Sequence, residues 1–159
     1  MAYKVFISHS TCDQWLVMTL ANILSKFGVQ VFVAEWYLAP GEKLSKKVFT
    51  QIENSNCVIA LLTQNGIRSN WVQQEIGFAL KTKRLLIPLV EKGLAAKELG
   101  ALQGTDYIEY DPSYPKEALV RTSTYVKSLK LRKDEEEKTL LIAGGIIAFL
   151  LLIFGGGKK

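Results

Sequence analysis

The sequence contains little cysteine and little histidine. Its 159 residues include two cysteines, Cys12 and Cys57, and one histidine, His9. Two cysteines do not make the disulfide framework of a small secreted domain, and a single histidine adds no zinc-site spacing to them. We therefore expect no metal, and we expect Cys57, which begins an apolar run, to be a buried small hydrophobic residue.

The sequence also lacks several motifs that would indicate a function. It has no Walker A loop and no G-x-G-x-x-G pattern, so a dinucleotide would not be held in the Rossmann manner. No secretory signal precedes the first strand-like run, so we expect a domain that folds in the reducing cytosol. The formal charge of +5 is scattered, apart from Lys46-Lys47 and residues 81–84. No nucleic-acid reader motif accompanies this charge, and we expect no nucleic-acid binding.

A regular alternation of strand and helix patterns runs through most of the chain. Apolar and β-branched runs predict strands at 4–8, 29–33, 57–62, 84–90 and 106–110. Helical spacing of apolar residues predicts helices at 13–27, 44–54, 71–81, 94–99 and 115–131. This alternation predicts an α/β fold, with a five-stranded parallel sheet and helices on both faces. Ligands bind such sheets beyond the carboxyl ends of the strands, which points to the loops 8–13, 35–43 and 63–70.

The C-terminal part of the sequence differs in composition. Residues 131–138 form a charged linker, either a solvated extension of the last helix or a flexible stalk. Residues 139–154 carry no charge over 16 positions; as a helix they span about 24 Å, and the glycines up to 157 bring this to about 28 Å, against a bilayer core of about 30 Å. We predict a transmembrane helix at 139–157, in a single-pass, tail-anchored membrane protein with its domain in the cytoplasm. The alternative is a buried or oligomer-packing helix.

Three segments, in this order, resemble the TIR domain family. The first is Phe6-Ile7-Ser8-His9-Ser10 with Asp13. The second is Val31-Phe32-Val33 followed by residues 35–41. The third is Ser69-Asn70-Trp71-Val72-Gln73-Gln74-Glu75, running into residues 76–79. The resemblance is closest to the bacterial and archaeal type. It places a TIR domain at 1–130 and implies a flavodoxin-like sheet.

The resemblance implies one of two kinds of function. Some TIR domains cleave the nicotinamide–ribose bond of NAD⁺, releasing nicotinamide and ADP-ribose or a cyclic isomer in immune defence. Others are adaptors that act by TIR–TIR assembly. In the enzymes a glutamate on the helix after the third strand is essential, and Glu75 matches it. We therefore expect an NAD⁺ glycohydrolase or cyclase with Glu75 as its catalytic residue, NAD⁺ as substrate and no further cofactor. A non-catalytic adaptor, assembled with other TIR domains at a membrane, is the alternative.

The surroundings of Glu75 agree with this chemistry. Trp71 lies four residues earlier, so the two side chains share one face of the predicted helix. The indole can stack on a ring of the substrate, with a core aromatic as an equal alternative. Cleavage builds oxocarbenium character on the ribose, which a nearby carboxylate stabilises. Outside the family context, a solvated helix residue would be the better interpretation of Glu75.

The remaining candidate contacts follow the first and second predicted strands. Ser8, His9 and Ser10 are expected to hydrogen-bond the NAD⁺ substrate. Trp36 and Tyr37 are expected to stack on it or to form a partner surface, with simple loop packing as the alternative.

Two positions depart from the family pattern. Ala34 stands where the family often has an aspartate, and Ser10-Thr11 stands where enzymatic relatives carry basic residues. These polar contacts therefore cannot be carried over. A Ser–His hydrolase dyad at His9 is not expected, because neighbouring side chains at a strand end point apart and no third group converges on them.

Overall fold

Five parallel strands form one sheet in the computed structural model, which describes residues 1–34 and 44–154, with the backbone alone for 44 and 149–154. The strands are β1 (Tyr3–Ser8), β2 (Val29–Val33), β3 (Cys57–Leu62), β4 (Leu85–Glu91) and β5 (Ile108–Tyr110). They pair in the order β2-β1-β3-β4-β5. This is the flavodoxin-like order, and it confirms the predicted five-stranded parallel sheet.

Within the described residues, four α-helices flank the sheet: α1 (Gln14–Lys26), α2 (Leu44–Glu53), α3 (Asn70–Lys81) and α4 (Pro115–Phe154). Short 3-10 turns occupy Thr11–Asp13, Gly66–Arg68 and Ala96–Leu102. The α-helix predicted at 94–99 is wrong in type, because the structure has the 3-10 turn Ala96–Leu102 there. Within that turn Gly100 has non-helical dihedral angles, with φ of 57° and ψ of −124°. The last strand is also shorter than the predicted 106–110.

Alternate residues of the strands pack against different helices. Val5 and Ile7 of β1 belong to a core cluster that includes Leu20 of α1 and Leu119 of α4. Phe6 points to the other face, where it packs with side chains of α2 and α3. This alternation follows from the twofold period of a strand. It confirms that helices cover both faces of the sheet.

The turn between α1 and β2 shows how the sequence ends a helix. Gly28 has a φ of +72°, in the left-handed region that glycine enters without steric cost. Its N–H donates to the carbonyl of Ser25 at 3.0 Å. The chain therefore reverses immediately after α1 and returns along the sheet as β2, the edge strand next to β1.

The final helix is a single element of 40 residues. Residues 131–138 belong to it, and this stretch contacts the start of the chain: the amino group of Met1 lies 3.3 Å from Oε2 of Glu137, and Nζ of Lys133 lies 5.9 Å from the ring centroid of Tyr3. From 139 to 148 every side chain is exposed.

The transmembrane helix predicted at 139–157 is not supported. Within residues 1–34 and 44–154, no helix is long and apolar enough to cross a membrane. The uncharged stretch from 139 to 154 reaches only about 24 Å, short of a bilayer core of about 30 Å. The tail-anchored localisation based on it stays a prediction.

The two cysteines occupy contrasting environments. Cys57 begins β3 in the core, and burial raises the pKa of its thiol to about 12. Cys12 is exposed and free. The thiolate is the reactive form of cysteine, so Cys57 is disfavoured as a reactive thiol both by its burial and by its raised pKa.

We expect a thiol reagent at neutral pH to modify Cys12 in the native protein, and Cys57 only after unfolding. Mass spectrometry after timed labelling measures this directly. The Cys12→Ser variant is the control, because its native state should stay unlabelled until denaturant is added. Fast labelling of Cys57 in the native state would contradict the assigned burial.

Candidate active site

The candidate site lies where β1 ends. Ser8 is the last residue of that strand and is 0% exposed. Its hydroxyl Oγ donates a hydrogen bond to the carboxylate oxygen Oε2 of Glu75. The structure thus brings together two predicted site residues that lie 67 positions apart in the sequence.

Glu75 reaches this position because of how α3 begins. Ser69 is the N-cap of α3, and its Oγ accepts a hydrogen bond from the N–H of Val72 at 3.3 Å. Val72, Ile76 and Ala79 form the buried face of the helix. Glu75 lies on the same face and is 1% exposed, so it is not a solvated helix residue. A carboxylate buried this deeply requires hydrogen-bond donors, and Ser8 supplies one.

Trp71 is only partly buried. It packs against the cluster of β1, α2 and α3 side chains that contains Phe6, Val48 and Ile52. This gives it a packing role at the margin of the core. It remains one turn of helix before Glu75, as the spacing predicts.

His9 and Ser10 follow Ser8 but make different contacts. His9 is buried, and its Nδ1 lies 3.4 Å from the carbonyl oxygen of Ile7. Ser10 is the N-cap of the 3-10 turn at Thr11–Asp13, where its Oγ accepts from the N–H of Cys12 at 3.3 Å. In the structure Ser10 therefore makes a capping contact. The sequence had predicted a contact with the substrate for this residue. The predicted contacts Trp36 and Tyr37 lie outside the described residues.

A second polar network, which the sequence analysis missed, ties the loops of this edge together. The hydroxyl of Thr63 donates to Oδ2 of Asp13 at 2.6 Å and accepts from the N–H of Gly66 at 2.9 Å. Thr63 directly follows β3, and Asp13 precedes α1. The network connects the loop after β1 to the loop that leads into α3. The only sequence signal was a polar residue placed directly after a buried strand.

Gly66 is essential to that loop for a steric reason. A Cβ at this position would lie 2.2 Å from the carbonyl oxygen of Leu61. The contact is with backbone, which cannot rotate away. Glycine therefore allows the chain after β3 to pass close to the strand on its way to α3.

Two other kinds of site are relevant to function: a metal site and a ligand-binding groove. In the part of the chain that the structure describes, no group of three or more His, Cys, Asp or Glu residues could hold a metal ion. A groove of about 810 Å³ lies between β4, the segment before β5 and α4, with Leu86, Tyr107 and Arg121 among its lining residues. Among the predicted site residues that the structure describes, none lines this groove, so it is distinct from the contact between Ser8 and Glu75.

The fold and this site can be compared with known proteins. The family described as TIR domain matches residues 5–122, which is more than half of the chain. The chain belongs to the TIR domain family.

A 2' cyclic ADP-D-ribose synthase of Acinetobacter baumannii is similar at 25% identity over 126 residues, covering 76% of this chain and 44% of that protein. One of Bacteroides thetaiotaomicron is 32% identical over 75 residues, covering 46% of this chain and 26% of that protein.

These relatives are longer proteins, and this TIR domain chain spans less than half the length of either. Among solved structures, the TIR domain of the Toll-related receptor TRR-2 from Hydra magnipapillata is similar with a TM-score of 0.66. Its sequence is 20% identical, and the match covers 80% of this chain and 99% of that one. At this identity the likeness shows the fold alone, and it confirms a TIR fold.

We expect Gly66→Ala to destabilise the TIR domain by about 2 kcal/mol or more, since overpacking typically costs about 1–3 kcal/mol. Gly77→Ala is the matched control, because Gly77 lies on α3 and a Cβ added there would meet nothing within 4 Å. That change should stabilise by about 0.5–1 kcal/mol through helix propensity. Denaturant unfolding of both variants measures the difference; equal effects would mean that the close approach to Leu61 is absent.

Proposed function

We propose that this TIR domain cleaves the nicotinamide–ribose bond of NAD⁺, releasing nicotinamide together with ADP-ribose or a cyclic ADP-ribose. The observation that carries the proposal is Glu75, a carboxylate buried at the carboxyl edge of the sheet and hydrogen-bonded by Ser8. The names of the two bacterial relatives support the substrate class. A cyclic ADP-ribose is the remainder of NAD⁺ after loss of nicotinamide, closed on itself.

The chemistry of the bond explains what a single carboxylate can contribute. The nicotinamide of NAD⁺ is a cationic ring and departs as a neutral molecule, so the leaving group needs no protonation. Positive charge then develops on the ribose, as it does in glycoside cleavage. A carboxylate held beside the ribose stabilises this charge, and the interaction is stronger where water is excluded. The product depends on whether water or another atom of the substrate attacks the ribose.

The other predicted contacts complete this proposal. His9 and Ser10 adjoin Ser8, and the segment that contains Trp36 and Tyr37 follows β2, which pairs directly with β1. NAD⁺ bound beyond the carboxyl end of β1 would come within reach of His9, Ser10 and Trp71, and contacts from Trp36 and Tyr37 stay part of the proposal. Because Glu75 is 1% exposed, binding must uncover its carboxylate. Assembly with other TIR domains and a role in immune defence belong to the same proposal.

We expect Glu75→Ala and Glu75→Gln to lower nicotinamide release from NAD⁺ by roughly 100-fold or more, the usual size of such an electrostatic contribution. Chromatography of nicotinamide and its co-product, at high protein concentration, measures the loss and identifies the product. The control is Glu136→Gln, which removes the charge of an exposed carboxylate on α4 and should retain the wild-type rate.

A wild-type chain that releases no nicotinamide, even when concentrated, would contradict the proposed activity. The adaptor function would then be the better account of this TIR domain. An active chain in which both Glu75 variants keep the full rate would instead show that the carboxylate is not catalytic.

A further inference from the structure

The proton of the Ser8 hydroxyl is donated to one acceptor, the carboxylate of Glu75. Ser8 is 0% exposed, and its Oγ donates to Oε2 of Glu75, which is itself 1% exposed. A serine hydroxyl carries only one proton. Ser8 therefore has no second proton to donate to a substrate while it holds Glu75.

The strand that carries Ser8 is paired on both sides up to Ile7, and Ser8 itself is paired with β3. β1 is an inner strand: Ile7 pairs with Val33 of β2, and Ser8 pairs with Ala60 of β3. A donor mounted on such a strand keeps its position, whereas a glutamate side chain has several rotatable bonds. A hydrogen bond between them therefore transfers the rigidity of the sheet to the carboxylate.

We propose that Ser8 is a positioning residue that orients the carboxylate of Glu75 toward the ribose of the substrate and does not itself donate a hydrogen bond to NAD⁺. This inference rests on the proposed function of the site. It replaces the expectation from the sequence that Ser8 hydrogen-bonds the substrate. It also makes a specific kinetic distinction, because a positioning residue affects the reaction step more than substrate binding.

The kinetic test compares Ser8→Ala and Ser8→Cys with the wild-type chain. Both variants remove or weaken the donor, and cysteine nearly preserves the volume of the side chain. We expect each to lower kcat for nicotinamide release about 10-fold to 100-fold, with KM within about twofold of the wild-type value. A raised KM with unchanged kcat would show direct substrate contact, and unchanged values of both would remove any role for Ser8.

Ser123→Ala is the matched control for these variants. Ser123 is also buried, at 1% exposure, but it lies on α4 and its Oγ has no hydrogen-bond partner within the described residues. Its replacement should leave kcat and KM unchanged. A loss of kcat in this control equal to that of Ser8→Ala would mean that changing any buried serine impairs the enzyme, and it would overturn the specific role.

A stability measurement tests the contact independently of activity. We expect the shifts in denaturation midpoint of Ser8→Ala and Glu75→Ala to be non-additive, with the double variant losing less than the sum of the single losses. The reason is that each single change leaves the other buried polar group without this partner. Additive losses would overturn the inference even if the chain is active. An inactive wild-type chain with non-additive losses would instead contradict the proposed function and leave the contact intact.

Discussion

A hydroxyl group and a carboxylate meet in the interior of this protein, away from water. Burying a carboxylate is unfavourable unless donors replace its hydration, and the hydroxyl of Ser8 supplies one such donor to Glu75. Ser8 is held by an inner strand, and Glu75 is held by a helix from another part of the chain. The contact can form only when β1 and α3 are both in place. The proposed chemistry therefore depends on the same packing that forms the sheet.

The approach of α3 to the sheet has its own requirements. Gly66 allows the chain to pass the backbone of β3, and Thr63 links that loop to Asp13. Ser69 then caps the helix. None of these residues touches a reacting atom in the proposed mechanism, yet together they position the face of α3 that carries Glu75. Small and polar residues in the loops thus set the geometry of the site as firmly as the apolar core does.

The sequence predicts the sheet well because its signals are local. The run at 57–62 is apolar throughout, and the structure buries it completely as the central strand β3. The segment at 94–99 is different. Its Ala-rich composition favours an α-helix, but the structure has a 3-10 turn at Ala96–Leu102, in which Gly100 adopts a non-helical backbone conformation. A Cβ at Gly100 would lie 3.3 Å from Oε1 of Gln73 on α3. A contact with α3 cannot be read from the propensity of the segment itself.

The candidate site was predictable in part. Motif resemblance identified Ser8 and Glu75, but their mutual contact and their burial arise from the pairing of distant segments. Ser10 precedes the predicted helical pattern and is a residue type that commonly caps helices, whereas no local pattern indicates that Thr63 would join two loops. The transmembrane prediction rested on an uncharged stretch of nearly sufficient length, and within the described residues no helix is long and apolar enough to support it.

The long final helix α4 sets both how far its C-terminal end extends along the axis and which way the side chains at that end face. Beyond the contact of Glu137 with Met1, α4 continues to Phe154 without a break. Each residue of an α-helix advances the axis by about 1.5 Å and rotates it by about 100°. A single inserted residue in this stretch would therefore turn the far end of the helix by more than a quarter of a revolution, while lengthening it only slightly. The number of residues in this stretch therefore sets which side chains face a given direction at the far end of the helix.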